Sequence, residues 1–330
     1  MTTASQVETA ILPPQIASRP SPAARNVIIS ANPRAGSRSR HAHLQSLVNV
    51  LTNAGYHVCL LTTLDELAGL SAEQAKTGAL RAVVAVGGDG TASIVRTHVP
   101  LEVPLLPVPM GTENLLGRFV EQATDAAAVR RTLDEGVTVG LDLGRAGGKL
   151  FLLMISAGFD AEVVRTLHMN RRGNITRAAY FLPMVRAIRS YRYPQMELYC
   201  GDRLAPPATL QCRWLFAFNL PLYALGLPIA PDALATDGLL DVCTFERGST
   251  WSVLRYLWHV RRGCHLGLPD AALRRCSSFR LEGPNSVELA YQLDGDYGGT
   301  LPVDVELLPG ELRLLVTPET ARRLGFEVRT

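Results

Sequence analysis

Residues 83–93 read VVAVGGDGTAS, an apolar run that meets three glycines set around one carboxylate. A strand without polar alternation is covered on both faces, as in a parallel sheet. Glycines permit positive φ and let a ligand come close to the main chain. A helical stretch follows from Ala92, and its N-terminus adds partial positive charge at the same spot. Such a loop suits an anion, above all a phosphate.

Outward from this loop the cycle repeats. Residues 27–30 form a short apolar run that Asn32-Pro33 ends. Leu44, Leu47, Val48 and Leu51 share one helical face, which Gly55 stops. Residues 58–61 are apolar and 64–76 helical; 82–86 and 103–108 are strands, and MGTEN leads into a helix over 115–120. This alternation predicts a parallel sheet with helices on both faces and ligands at the carboxyl ends of its strands. After about residue 141 the period becomes two. Val287, Leu289, Tyr291 and Leu293 alternate with polar or small residues, as do Val303, Val305 and Leu307. Pro309-Gly310 reads as a turn before Leu312, Leu314 and Val316. Residues 214–219 and 239–244 are strand-like, and helices are confined to about 175–189 and 251–262. The second half is mostly antiparallel β, and the cleft between the halves is the natural site.

Composition narrows the chemistry. A chain of 330 residues with 47% hydrophobic and 19% charged residues can form two ordinary domains. A net charge of +3 does not argue for nucleic acid. The only lysines are Lys76 and Lys149, and neither stands in a GxxxxGK[ST] or VAIK-like setting, which rules against a Walker P-loop enzyme and a protein kinase. Six cysteines form no CxxC pair and seven histidines no HExxH. That excludes a zinc site or disulfide scaffold and fits a reducing compartment. No apolar run approaches the ~18 residues of a membrane span. The first 25 residues, with Pro13, Pro14, Pro20 and Pro22, lack signal-peptide features and read as a flexible leader. The expected location is cytoplasmic.

NPRAG (32–36) and GGDGT (87–91) both follow strands and precede helices. Taken alone, NPRAG is a tight βα connection, and LDGD (293–296) and Asp237-Gly238 are β-turns. The carboxylate of Asp89 has the wrong sign to hold phosphate. It makes sense beside Mg²⁺, or as acceptor of a proton from an attacking hydroxyl. The ordered set carries more than its parts. NPRAG, GGDGT, PVPMGTENLLGR (107–118), FLLMISAGFDAEVV (151–164), GNITRAAYFLPMVRAI (173–188), APDALATDGLLDV (230–242) and LDGD follow one another. In order and spacing this set resembles the diacylglycerol kinase and sphingosine kinase catalytic-domain family, the bacterial-type lipid kinases, from about residue 26 to the C-terminus.

The resemblance implies an N-terminal Rossmann-like α/β nucleotide-binding domain with a parallel sheet, and a C-terminal antiparallel β-sandwich-like domain. The active site lies in the interdomain cleft. The ATP-binding part would cover 26–140, completed by about 312–330, and the lipid-substrate part 141–311. Asn32, Gly88, Asp89, Gly90, Thr91 and Thr112 would line ATP, with Asn114 nearby and Thr62 or Thr63 as the threonine after the second strand. LATDGL would bind Mg²⁺ through the carboxylate of Asp237 and the carbonyls of Leu234 and Leu239, ligands suited to a hard cation. Asp296 would be the base, with Asp294 beside it and Asp89 at the transfer site. The implied activity is ATP- and Mg²⁺-dependent transfer of a γ-phosphoryl group to a lipid hydroxyl, diacylglycerol-like or sphingoid-like.

Two positions depart from the family. Glu113 stands where it has Gly or Ala, and Asp-Gly-Asp replaces Asp-Gly-Glu. A shift of about 1 Å can cost on the order of 100-fold in rate, yet the carboxylate is retained and activity is expected. A soluble NAD-kinase-like enzyme shares GGDGT, and the departures also suit a catalytically impaired lipid- or nucleotide-binding protein. Arg171, Arg172, Arg177, Arg186, Arg189 and Arg192 interleave with Tyr180, Phe181, Tyr191 and Tyr193. Trp251, Leu254, Leu257 and Trp258 share a helical face that ends in Arg261-Arg262. These groups suit either core packing under a basic face or peripheral contact with the inner membrane face. A homodimer is compatible with the sequence; nucleic acid is not an expected partner.

Overall fold

The computed structural model describes residues 15–31, 38–169, 191–201, 208–223, 226–284 and 286–329. Asn32, with the rest of NPRAG, and the helix expected over 175–189 lie outside them. The first half contains β1 (Ile16–Ala17), β2 (Asn26–Ala31), α1 (Arg38–Asn53), β3 (His57–Leu61), α2 (Leu64–Lys76), β4 (Leu80–Gly87), α3 (Asp89–His98), β5 (Leu105–Pro109), α4 (Leu115–Phe119) and α5 (Ala126–Glu135). Then come β6 (Val137–Ala146), β7 (Lys149–Phe151), β8 (Met154–Ala157), α6 (Phe159–Met169), β9 (Met196–Gly201), β10 (Ala208–Cys212), β11 (Trp214–Phe218) and β12 (Leu240–Phe245). The chain ends through α7 (Thr250–Arg261), β13 (Ala271–Cys276), β14 (Ser278–Glu282), β15 (Ala290–Leu293), β16 (Asp296–Thr300), β17 (Val303–Val316), α8 (Pro318–Arg323) and β18 (Glu327–Val328).

The continuous apolar strands behave as their composition predicts. β4 is buried over its whole length and pairs in parallel with β2 (Ile28 opposite Val83) and β5 (Val83 opposite Leu105). Successive side chains point to opposite faces. Val84 and Val86 pack with Leu47 and Leu51 of α1 and Val129 and Leu133 of α5. Val83 and Ala85 join a cluster containing Leu67 of α2 and Val95 of α3. The loops at the carboxyl ends of β4 and β5 therefore open on one edge.

The later strands form a six-stranded antiparallel sheet in the order β13-β12-β11-β8-β15-β16. Its inner face, including Ile155, Leu215, Ala217 and Leu293, packs on Phe279, Leu281 and Val305. Its outer face meets α6 and α7 through aromatic pairs, Phe159 stacked on Trp214 at 5.5 Å and Tyr256 tilted against Phe245 at 4.6 Å.

One expected turn is absent. Pro309-Gly310 does not reverse the chain: β17 runs through it, with a register shift against β6 between Leu308 and Leu312. Gly310 adopts φ 70 and its N–H donates to Asp142 Oδ1 at 3.0 Å. The buried carboxylate captures the amide that a hairpin would have used, so the chain bulges and continues. The first part of β17 pairs with β14 and the last with β5 (Leu314 opposite Leu105). That single strand carries a ten-stranded sheet from one half of the chain into the other.

Candidate active site

At Gly88 of GGDGT and Gly111 of GTEN the two loops touch main chain to main chain. A Cβ on Gly111 would lie 2.5 Å from Gly88 Cα. Met110 N–H donates to Gly87 O at 2.8 Å, which registers one loop on the other. Asn114 closes the second loop on itself: Oδ1 accepts Gly111 N–H at 2.7 Å and Nδ2 donates to Gly111 O at 2.9 Å. It does so at φ 52, a left-handed conformation that asparagine tolerates better than most residues.

Asp89 joins these loops from the other side. Its Oδ2 and Oδ1 accept the N–H groups of Leu115 and Leu116, each at 2.9 Å. The carboxylate thus caps α4, a helix whose positional cap, Asn114, has its side chain engaged elsewhere. Burial raises its pKa, the two amide bonds oppose that, and Glu113 adds a further upward push. Glu113, the charged departure, is therefore a neighbour of Asp89.

Across the cleft stands the turn between β15 and β16. Asp294 adopts φ 52, and its carboxylate accepts N–H from Leu152 (2.7 Å), Leu153 (2.8 Å) and Met154 (3.1 Å). Burial pushes it up to about 6; the three amides oppose this, and the Asp89 charge adds to it. Asp296 is exposed and faces the glycine loop, with Oδ2 only 3.2 Å from where a Cβ on Gly90 would be. Two loops from the parallel sheet and one acidic turn from the antiparallel sheet meet at this point.

Both halves of the chain match known protein families. Residues 26–146 match the diacylglycerol kinase catalytic domain, and residues 153–316 match the YegS C-terminal NAD kinase beta sandwich-like domain. The chain belongs to the diacylglycerol kinase family. A diacylglycerol kinase of Bacillus subtilis is 26% identical over 89% of this chain and 97% of its own length. One of Mycobacterium tuberculosis is 28% identical over 71% of this chain and 76% of its own. The crystal structure of a putative diacylglycerol kinase from Bacillus anthracis superposes with a TM-score of 0.68 at 19% identity, over 89% of this chain and 98% of that one. That likeness shows the shared two-part fold. A diacylglycerol kinase-type enzyme moves phosphate to an alcohol, and this chain is an enzyme of that class.

Within this diacylglycerol kinase family member, the remaining expected residues fall as follows. Gly88, Gly90, Thr91 and the exposed Thr112 line the loops just described. Thr62 and Thr63 are exposed at the β3–α2 junction, and the Thr63 hydroxyl donates to Glu66 Oε2 at 2.5 Å. The LATDGL loop packs on Asp142, whose Oδ2 accepts Gly238 N–H at 2.8 Å. Asp237 Oδ1 accepts Leu239 N–H at 3.0 Å, and its Oδ2 lies 2.6 Å from Arg275 Nη2. Arg275 Nε also lies 3.2 Å from Asp241. One guanidinium bridging two carboxylates supplies the positive charge expected of a cation there. The arrangement does not fit a resident Mg²⁺ at Leu234, Asp237 and Leu239. Among the described residues no three His, Cys, Asp or Glu side chains are grouped to hold a metal.

A buried polar relay lies behind the acidic turn. Gln292 Nε2 donates to Ser156 Oγ at 2.6 Å, Ser156 hydrogen-bonds Asp160, and Gly295 N–H donates to Gln292 Oε1 at 2.6 Å. Gln292 occupies a polar step of an alternating strand, which reads as solvent-facing. Here that face of β15 lies under α6, so the glutamine is buried and holds the acidic turn from behind.

Proposed function

We propose that this enzyme is an ATP-dependent lipid kinase, with Mg²⁺ arriving on the nucleotide as part of the substrate and a diacylglycerol-like or sphingoid-like alcohol as acceptor. The observation that carries the reading is the approach of Asp296 to Gly90. It brings a carboxylate of the antiparallel half onto the loop whose backbone and helix N-terminus suit phosphates. Gly88, Asp89, Gly90, Thr91, Thr112 and Asn114 form the nucleotide end, with Thr62 or Thr63 at its margin. Asp296 accepts the proton of the lipid hydroxyl as the acceptor oxygen bonds to the γ-phosphorus and the β–γ bridging bond breaks, releasing ADP. Asp89 and Asp294 act by position: one fixes the two glycine loops together, the other fixes the acidic turn to β8. The nucleotide-binding part spans about 26–140 with 312–330, and the acceptor part 141–311.

The test is transfer of labelled phosphate from ATP, with Mg²⁺ present, to a panel of lipid alcohols in mixed micelles, with NAD as a soluble comparison. Label on a lipid supports the reading; label on NAD alone overturns it. Asp296→Asn should lower kcat by about 100-fold or more while leaving ATP affinity within about twofold, the range expected for loss of a general base. Unchanged turnover would remove Asp296 from that role.

A further inference from the structure

α7 has two apolar faces and only one of them is covered. Val253, Tyr256 and Val260 are buried against the antiparallel sheet. Trp251, Leu254 and Trp258, at i, i+3 and i+7, lie on the opposite side of the helix, and Trp251 is 81% exposed and Trp258 50%. An exposed tryptophan stripe back to back with a buried face is not a packing requirement of this fold. Ordinary helices cover one apolar face and leave the other polar.

Charge says what covers the second face. From Arg247 to Leu268 the chain contains Arg247, Arg255, Arg261 and Arg262 and no carboxylate. Asp270 lies 2.9 Å from Arg247 and 2.7 Å from Arg255, at the inner edge of the helix. Arg261 and Arg262 have no carboxylate partner among the described residues, and the Arg262 guanidinium lies 3.9 Å over the Trp258 ring. Tryptophan beside arginine at the end of an amphipathic stripe suits the boundary of an anionic bilayer: the rings enter the headgroup layer and the guanidiniums meet phosphates. A second copy of the chain would have to bury the same uncompensated arginines against themselves across a two-fold axis.

We infer that the outer face of α7, centred on Trp251 and Trp258 with Arg261 and Arg262, docks the enzyme on an anionic phospholipid surface. The inference rests on the lipid-kinase reading for its purpose, since it names the surface that brings the site to its acceptor. The docking itself is measured without turnover.

Cosedimentation with vesicles tests it. Wild type should bind phosphatidylcholine vesicles containing phosphatidylglycerol and release them in high salt, with little binding to phosphatidylcholine alone. Arg261→Gln with Arg262→Gln should weaken binding by about 30-fold, following about 1 kcal/mol per arginine near an anionic surface. Trp251→Ala with Trp258→Ala should abolish it, and these exposed positions should leave the thermal midpoint unchanged. Trp214 is buried, so a blue shift of tryptophan emission on adding vesicles reports the two helix residues. Vesicle binding unchanged in both double variants overturns the inference. So does a wild-type oligomer, seen in sedimentation velocity, that falls apart in the tryptophan variant. Binding to vesicles with no phosphate transfer to any lipid would instead defeat the kinase reading and leave the docking surface standing.

Discussion

Gly111→Ala is the sharpest probe of how the two glycine loops are joined. The added methyl would sit 2.5 Å from Gly88 Cα, 3.0 Å from Gly88 N and 2.9 Å from Asn114 Oδ1. Carbon atoms in ordinary contact lie about 3.5–4.0 Å apart, so the loops must separate by about 1 Å. The Gly88 atoms are backbone, so no rotamer change relieves the clash. Overpacking of this size costs about 1–3 kcal/mol of stability. The separation also pulls Gly111 off Gly88, in the loop proposed to position phosphate, and about 1 Å of misplacement costs on the order of 100-fold in kcat/KM. Gly88→Ala is the internal comparison, because its methyl meets Gly111 Cα at 3.2 Å and a shift of a few tenths of an ångström suffices. Steady-state phosphate transfer to a micellar lipid, ATP affinity and thermal midpoint should all rank Gly111→Ala below Gly88→Ala. Wild-type kcat/KM and ATP affinity in Gly111→Ala, or the reverse ranking, would refute the loop-to-loop contact as the reason for these glycines.

Arg275→Met should lower stability by about 1–2 kcal/mol, a buried-pair effect discounted for the partial exposure of the guanidinium. EDTA should leave the wild-type thermal midpoint unmoved, and a clear drop would show that a metal, not Arg275, holds the LATDGL loop. Burial pushes Asp142, Asp160, Asp241 and Asp294 each up to about 6. Between about pH 4 and pH 6 the folded chain keeps protons that the unfolded chain has released, so stability falls as pH rises through that window. The urea midpoint should be higher near pH 5 than near pH 7, and the opposite order would contradict the raised values. Gly69, inside α2, has nothing within 4 Å of an added Cβ. Gly69→Ala should therefore gain about 0.5–1 kcal/mol from helix propensity, and a lower midpoint would mean that the site is not open.

What the sequence made legible was local. Strand β4 and helix α2 fall where the apolar run over 82–86 and the periodic stretch over 64–76 place them, because burial on two faces or on one leaves its own period. What it concealed lies in partners far along the chain. Pro309-Gly310 has the composition of a turn, and only Asp142, 168 residues earlier, makes it a bulge. Asp237 has the composition of a cation ligand, and only Arg275, 38 residues later, supplies the charge instead. The acidic residues of the site divide on the same ground. Asp89 and Asp294 are set among glycines and read as chemistry, yet each gives its carboxylate to amides, those of Leu115 and Leu116 for one and Leu152 to Met154 for the other. A carboxylate holding several amides is fixed in place by them, which suits a scaffold. Asp296 is the carboxylate of this group that the structure leaves exposed beside the glycine loop. Asp89 anchors that loop to the next one, Asp294 anchors that turn to β8, and Asp296 lies where loop and turn approach each other.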